Sequence, residues 1–325
     1  MDARLSLALR LNRRRSIPIA ELAKELKLPP RAVARAVEEL GRIGFTIESH
    51  PLLGLRLAGA PGALLAEEIA FGQGRVGHRV RCVAEAVSTN DLAWDAAAGA
   101  PEETDGLAIF AEHQSAGRGR RGNRWLASPH SSVLCSVILW AADGPGQAAI
   151  LTSAAAVAAA RAIEGQCDLA VGIKWPNDLV VEDRKVGGIL VEARSAAGVV
   201  SPLVIGIGLN CTQMPEDFPA EIRDTAASLA TLGAEIDRTL LARGLLAELD
   251  GVIARAADPA GGIAEVRGEA AARCRTLGRR ISVREGATTY RGEVIGLDPD
   301  YGLVLRLPEG GIRRFPAMTT HVVAQ

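Results

Sequence analysis

Two stretches of this 325-residue chain concentrate side chains that handle anions. The first, Gln114-Ser-Ala-Gly-Arg-Gly-Arg-Arg-Gly-Asn-Arg-Trp125, sets Arg118, Arg120, Arg121 and Arg124 among Gly117, Gly119 and Gly122. Residues without a Cβ let the backbone approach a ligand closely. Each guanidinium can donate paired hydrogen bonds to a phosphate or carboxylate. Four clustered cations repel one another without an anion, so the segment reads as a flexible loop that a polyanion orders; the plainer alternative is an exposed basic turn. Gly117-x-Gly119-x-x-Gly122 also matches the dinucleotide-binding turn formally, but that turn opens a helix. Here Asn123 to Pro129 leads into a strand near 133 instead.

The second stretch is Gly172-Ile-Lys-Trp-Pro-Asn-Asp178 followed by Arg184-Lys185-Val-Gly-Gly188. Of 37 basic residues 33 are Arg and only four are Lys (24, 27, 174 and 185), so a lysine marks a place where guanidinium does not serve. Lys174 ends a strand, Pro176 and Asn177 turn the chain, Asp178 begins the return, and Lys185 sits in the following turn beside Gly187 and Gly188. A cation beside glycines suits an acyl or phosphoryl oxygen; a hairpin ion pair between Asp178 and Lys185 is the simpler reading. Asn90, Asn123, Asn177 and Asn210, four of only five asparagines, fall in or beside these unusual segments. Ser88-Thr-Asn-Asp91 is an N-cap pattern opening a helix, and Val204-Ile-Gly-Ile-Gly-Leu-Asn210 is a buried strand whose glycines leave room for something bulky.

These segments need a scaffold, and the chain is long enough for two or three domains. Hydrophobic residues make up 48% and charged residues 23%, enough for a sizeable core. With 37 basic and 38 acidic residues a uniformly basic nucleic-acid binder is excluded. Five scattered cysteines, at 82, 135, 167, 211 and 274, fit neither a disulfide framework nor a CxxC metal knuckle and point to a reducing, cytoplasmic setting. The longest apolar stretch, Ala148 to Ala160, is short of a membrane span. Residues 1–60 read as helix, helix, turn, helix and a two-stranded wing: a winged helix-turn-helix. Eleven bases against six acids over 1–58 favour phosphate contact. The presumed reading helix offers only Arg31 and Arg35 to base edges, so a DNA-binding domain and a packing remnant of one both stay open. Residues 61–78 form a linker. Residues 79–274 alternate short strands with a helix opening at Ser88 and others over 147–164 and 225–274, predicting an α+β domain with a mixed sheet and helices on one face. Alternation between turns from Arg280 onward predicts a small β-barrel over 275–325.

Taken jointly, Ser88-Thr-Asn90, Gln114 with Gly117 to Gly122, Lys174 to Asp178, Arg184-Lys185 with Gly188 to Glu192, and Gly206 to Asn210 resemble the motifs of biotin protein ligases in order and spacing from about 80 to 215. The flanking modules resemble those of bifunctional members that also repress biotin-synthesis genes. The resemblance implies a class II synthetase-like centre and an SH3-like C-terminal barrel. It implies ATP and biotin as substrates, Mg²⁺ bridging the phosphates, and biotinyl-5′-AMP as intermediate; a lysine of biotin carboxyl carrier protein, an acetyl-CoA carboxylase subunit, then takes the biotin. Operator DNA and a second copy of the chain are further implied partners; a membrane is not. By the same resemblance Ser88, Thr89, Asn90, Gln114, Arg118, Gly119, Arg120, Lys185, Gly188 and Gly206 would contact biotin. Arg118, Arg120, Arg121, Trp125, Lys174, Asn177, Lys185 and Asn210 would contact ATP or the adenylate. Catalysis would rest on Arg118, Arg120, Lys174, Asp178 and Lys185, and no residue would be a dedicated metal ligand. A lipoate ligase shares this architecture and is the alternative.

Overall fold

The computed structural model describes residues 3–72, 74–98, 101–141, 147–194 and 201–324; Gln73 of the expected linker lies outside them. Three helices open the chain: α1 (Ala3–Leu11), α2 (Ile19–Leu26) and α3 (Pro30–Arg42). Pro30 begins α3 where a missing N–H leaves no bond unmade, and Lys27, left-handed at φ 54°, ends α2. The antiparallel hairpin β1 (Thr46–His50) and β2 (Gly54–Gly59) follows. A Cβ at Gly54 would fall 2.0 Å from the Ile17 carbonyl oxygen, so only glycine lets the hairpin close against the chain entering α2. Leu5, Leu9, Leu22, Val33, Leu40, Phe45 and Leu55 form a core of their own beneath these elements.

The positive charge of this module is largely engaged. Arg13 and Arg14 pair with Glu235, Arg35 lies 3.9 Å from Glu39, and Arg56 pairs with Glu48. Arg10 is buried where α1 meets the central domain: it donates to both Glu68 oxygens at 2.9 Å and to Asp237 at 2.9 Å. Burial alone would lower the Arg10 pKa, but the bonds to Glu68 and Asp237 outweigh it and hold the pKa above its usual value. Arg31 and Arg35 are both exposed on α3.

The central region runs α4 (Ala66–Ile69), β3 (Val80–Ala86), α5 (Thr89–Ala96), α6 (Pro101–Thr104), β4 (Ala108–Gln114), β5 (Ser132–Ala141), α7 (Ala148–Glu164), β6 (Gly172–Lys174), β7 (Asp178–Val181), β8 (Arg184–Ala193), β9 (Ser201–Asn210), α8 (Arg238–Ala256) and α9 (Gly262–Ala272). The strands form one mixed sheet in the order β3-β4-β5-β9-β8-β7-β6, parallel between β3 and β4 and antiparallel elsewhere. Alternation along each strand sends side chains to opposite faces. One face, with Phe110, Val133, Cys135, Val137, Leu203, Ile205 and Ile207, packs against α7 and α8. The alanines of α7 are buried almost throughout, and their small side chains let the helix sit close to the sheet.

Helices do not keep to one face, contrary to the expectation from the sequence. The opposite face carries Ile109, Ile138 and Val204, which are apolar and need cover; α5 supplies it with Ala93, Trp94 and Ala97. Farther along the same face the strands change to Ser136, Gly206, Gly208 and Gly188; the first turn of α5 reaches Ser136 and Gly206 through Thr89 and Asn90, and the surface at Gly208 and Gly188 meets Trp125 instead. Helix between 225 and 274 also begins later than expected, at Arg238, because the Asp237 carboxylate caps the backbone N–H groups of Thr239 and Leu240. Lys185 lies within β8 rather than in the preceding turn, its backbone bonded to Thr225 and Ala227.

Five antiparallel strands complete the chain: β10 (Arg280–Glu285), β11 (Thr288–Leu297), β12 (Leu303–Arg306), β13 (Ile312–Phe315) and β14 (Thr320–Ala324), ordered β13-β12-β11-β10-β14 with β13 and β14 at the edges. Ile281, Val283, Val294, Leu303, Leu305 and Phe315 continue the central core. The indole of Trp175, fully buried, donates to the Tyr301 carbonyl at 2.7 Å and fastens this sheet to the β6–β7 turn.

Candidate active site

The site is the uncovered part of the central sheet. Gly188 pairs with Gly208 and Leu190 with Gly206 across β8 and β9, and β5 adds Leu134 and Ser136. Without side chains at three of these positions the strands form a shallow depression, and it is filled at one end by the Trp125 ring. A Cβ at Gly208 would lie 2.6 Å from that ring and one at Gly206 would lie 2.4 Å from Asn90 Oδ1. The space left is a cavity of about 150 Å³. Gly208→Ala should therefore displace Trp125 and weaken ligand binding about 10- to 100-fold, since overpacking costs about 1–3 kcal/mol. Calorimetric titration checks this, and unchanged affinity would mean the ring moves aside freely.

One end of the cavity is a polar network at the start of α5. Ser88 caps the helix by accepting from the Asn90 backbone N–H at 3.3 Å. Gln114 Oε1 accepts from the Thr89 backbone N–H at 2.7 Å and from its hydroxyl at 3.1 Å. Ser136 Oγ lies 2.7 Å from Thr89 Oγ1 and 2.6 Å from Asn90 Oδ1. Asn90 Nδ2 in turn donates to Glu192 at 2.8 Å, and Trp94 Nε1 donates to the same oxygen at 3.1 Å. Ser88, Thr89, Asn90 and Ser136 are all buried, so the network is fixed before a ligand arrives.

The arginine loop starts beside this network and runs along the rim of the cavity toward Lys185. Its neck is closed by the Trp125 N–H donating to Gly117 O at 2.9 Å, and its tip turns at Arg121 and Gly122, both at positive φ. Arg118 binds Asp91 through Nη1 at 2.6 and 2.7 Å and approaches Glu192 at 3.5 Å. Partial burial would lower the Arg118 pKa, but these carboxylates raise it on balance. Arg120 donates to the Ala317 carbonyl at 2.5 Å, and Arg121 donates to that of Thr319, so both arginines span to the C-terminal sheet. Burial and the neighbouring Arg121 lower the Arg120 pKa. Below them Lys185 Nζ lies 2.6 Å from Asp178 and 5.6 Å from the centre of the Trp125 ring. Asn177 ties the turn down by donating from Nδ2 to Ile189 O at 2.9 Å.

The fold thus gathers Ser88, Thr89, Asn90, Gln114, Arg118, Gly119, Arg120, Trp125, Asn177, Asp178, Lys185, Gly188 and Gly206 around one cavity. Three candidates stand apart from its wall. Lys174 ends β6 as the strand-register partner of Asp178, Arg121 points to Thr319, and Asn210 is buried, donating to Ala227 O at 3.1 Å. Ser136 and Leu134 were not singled out from the sequence, and Gly208, Glu192 and Asp91 stood there only within longer motifs, with no site contact assigned to them. The two-residue strand period from Ile138 and Val204 places Ser136 and Gly208 on this face; the motifs that contain Asp91 and Glu192 do not by themselves reveal their contacts with Arg118.

A biotin/lipoate A/B protein ligase family model matches residues 85–210, the segment that builds this cavity. The bifunctional ligase/repressor BirA of Bacillus subtilis is 37% identical over 216 residues, 64% of each chain. The biotin–[acetyl-CoA-carboxylase] ligase of Mycobacterium tuberculosis is 37% identical over 228 residues, 66% of this chain and 77% of that protein. In fold the chain is similar to the Aquifex aeolicus biotin protein ligase solved in complex with biotin and ATP, with a TM-score of 0.63 and 23% identity over 76% of this chain and 100% of that one. The glycine-floored mixed sheet and its cationic rim lie within the segment that matches the biotin/lipoate A/B protein ligase family. The chain belongs to the biotin protein ligase family. The match spans 64% of the length of the Bacillus relative.

Proposed function

We propose that the protein joins biotin to a carrier protein at the expense of ATP. The observation that carries this reading is a cavity in which a buried hydrogen-bonding network at α5 adjoins a cationic rim of Arg118, Arg120 and Lys185. A neutral ureido group suits the first end and a carboxylate meeting a phosphate suits the second. In the first half-reaction a carboxylate oxygen of biotin attacks the α-phosphorus of ATP, forming biotinyl-5′-AMP as pyrophosphate leaves; Mg²⁺ enters with the nucleotide as MgATP. In the second a lysine amine of the carrier attacks the acyl carbon, AMP departs and the amine proton is lost. The nucleophile comes from outside, so this chain supplies orientation and charge.

Ser88, Thr89, Asn90 and Gln114, with Gly188 and Gly206 below them, hold the biotin ring system. Arg118, Gly119 and Arg120 lie over the junction of acyl and phosphoryl groups. Lys185, 2.6 Å from Asp178, faces the developing negative charge, and Asp178 orients it. Trp125 and Asn177 border the adenylate. Lys174 stands opposite Asp178 in the β6–β7 register and helps to organise that turn, Arg121 acts through the C-terminal sheet, and Asn210 anchors the end of β9. Closing the loop keeps water from the mixed anhydride.

The carrier is proposed to be biotin carboxyl carrier protein of acetyl-CoA carboxylase, after the activity for which the mycobacterial relative is named. Residues 1–60 are proposed as a winged helix-turn-helix, 61–78 as a linker, 79–274 as a class II synthetase-like domain and 275–325 as an SH3-like domain. A repressor role, with Arg31 and Arg35 on operator DNA and the chain acting as a dimer, follows the naming of the Bacillus relative. We place the protein in the cytoplasm, where its substrates would be; no helix among the described residues is long and apolar enough to cross a membrane. The decisive experiment incubates the protein with biotin, MgATP and a carrier domain. Release of pyrophosphate and a biotinylated carrier are expected, and transfer of lipoate in place of biotin would reassign the substrate.

A further inference from the structure

Asp91 is the one acid of the α5 first turn, and its carboxylate does not serve the helix end. The cap is made by Ser88, while Arg118 Nη1 is the hydrogen-bond partner of the Asp91 carboxylate among the described residues, with both oxygens within 2.7 Å. Glu192 differs: it is committed to Asn90 and Trp94 and reaches Arg118 only at 3.5 Å. Arg118 lines the cavity and Asp91 does not. Arg118 thus belongs to the cavity wall while its guanidinium is bound by a carboxylate that does not, the same kind of group that the site would receive as ligand.

Both partners are more than a third exposed, at 38% and 39%. An ion pair so placed is worth little in water, and a ligand carboxylate or phosphate in a more enclosed position offers the same guanidinium an equal or better bond. Gly117 and Gly119 flank Arg118 and let its backbone turn. Asp91 also places a negative charge beside the path of an anionic ligand.

We propose that Asp91 is the resting counter-ion of Arg118, holding it when the cavity is empty and giving it up to the ligand's anion, so that it weakens binding and sets how fast the activated ligand is released. A ligand that must displace an internal competitor binds with reduced apparent affinity. The idea rests on the ligase reading for the identity of the ligand, but the exchange itself concerns any anion at Arg118.

The test compares the full chain with Asp91→Asn, which keeps shape and removes charge, and with Asp91→Glu, which restores charge. Calorimetric titration with AMP reads the bare anion, and a chase with excess unlabelled ligand reads release of biotinyl-5′-AMP. Asp91→Asn is expected to bind AMP about two- to fivefold more tightly and to release the adenylate more slowly by a similar factor, the scale of an exposed ion pair. Asp91→Glu should return both to near wild type. Raising the salt should narrow the difference, because screening weakens the competitor in the wild type. Equal or weaker binding by Asp91→Asn, with an unchanged melting temperature, overturns the proposal and makes Asp91 a support that orients Arg118. Should the wild type release no pyrophosphate, the ligase reading fails, while the AMP titration still decides whether Asp91 competes.

Discussion

Substituting Lys185 by Met should slow pyrophosphate release about 10²–10³-fold, the usual loss when a positioned donor to developing charge is removed. Lys185 is the one lysine on the cavity wall, and its position is fixed three ways: by β8, by the 2.6 Å contact with Asp178, and by the Trp125 ring 5.6 Å away. Met retains the length and apolar stem, so Trp125 and the floor should stay in place. Biotin affinity, read by titration without nucleotide, should fall far less than the rate. A parallel loss of both would mean Lys185 serves ground-state binding, and a full rate with Met would remove it from the reaction altogether.

The second large effect concerns stability. Arg10→Met leaves Glu68, fully buried, without its bidentate partner and frees one side of Asp237, the cap of α8. Removing one member of a buried ion pair costs about 3–5 kcal/mol, and here it also loosens the seam between the N-terminal helices and the central domain. Urea unfolding followed by tryptophan fluorescence and by circular dichroism should shift to lower denaturant. Adding Glu68→Gln to the Arg10→Met protein should recover part of the loss, because the stranded charge is then gone. If the double variant is no better than the single one, the cost lies in packing of the Arg10 stem rather than in charge.

Much of the central sheet was legible because its strands are short apolar runs between turn residues, as at Val204 to Asn210, which lies within β9. What local pattern did not carry was the side of the sheet each helix takes. Ser88 announces a helix but says nothing of the Ile109, Ile138 and Val204 patch that it must cover. Long-range pairing was equally hidden. Arg120 and Arg121 reach carbonyls nearly two hundred residues away, and a reading confined to the glycine loop assigns them only to ligand. The charge excess of the first 58 residues is similarly blind to long-range partners: Arg10, Arg13 and Arg14 meet Glu68, Asp237 and Glu235 outside that stretch, while Arg31 and Arg35 stay exposed. The site's glycines and asparagines were conspicuous by type. Ser136 and Glu192 were not, since their roles exist only through strand register and the placing of α5.

The pinch between Gly117 O and Trp125 N limits how the arginine segment can travel. With that bond intact and the indole wedged over Gly208, both feet of the excursion stay planted, and seven residues remain as a tether. Half of that length, fully drawn out, reaches about 12 Å. A swing of that size uncovers the pit without disturbing its floor, so admission and discharge need no remodelling of the strands beneath.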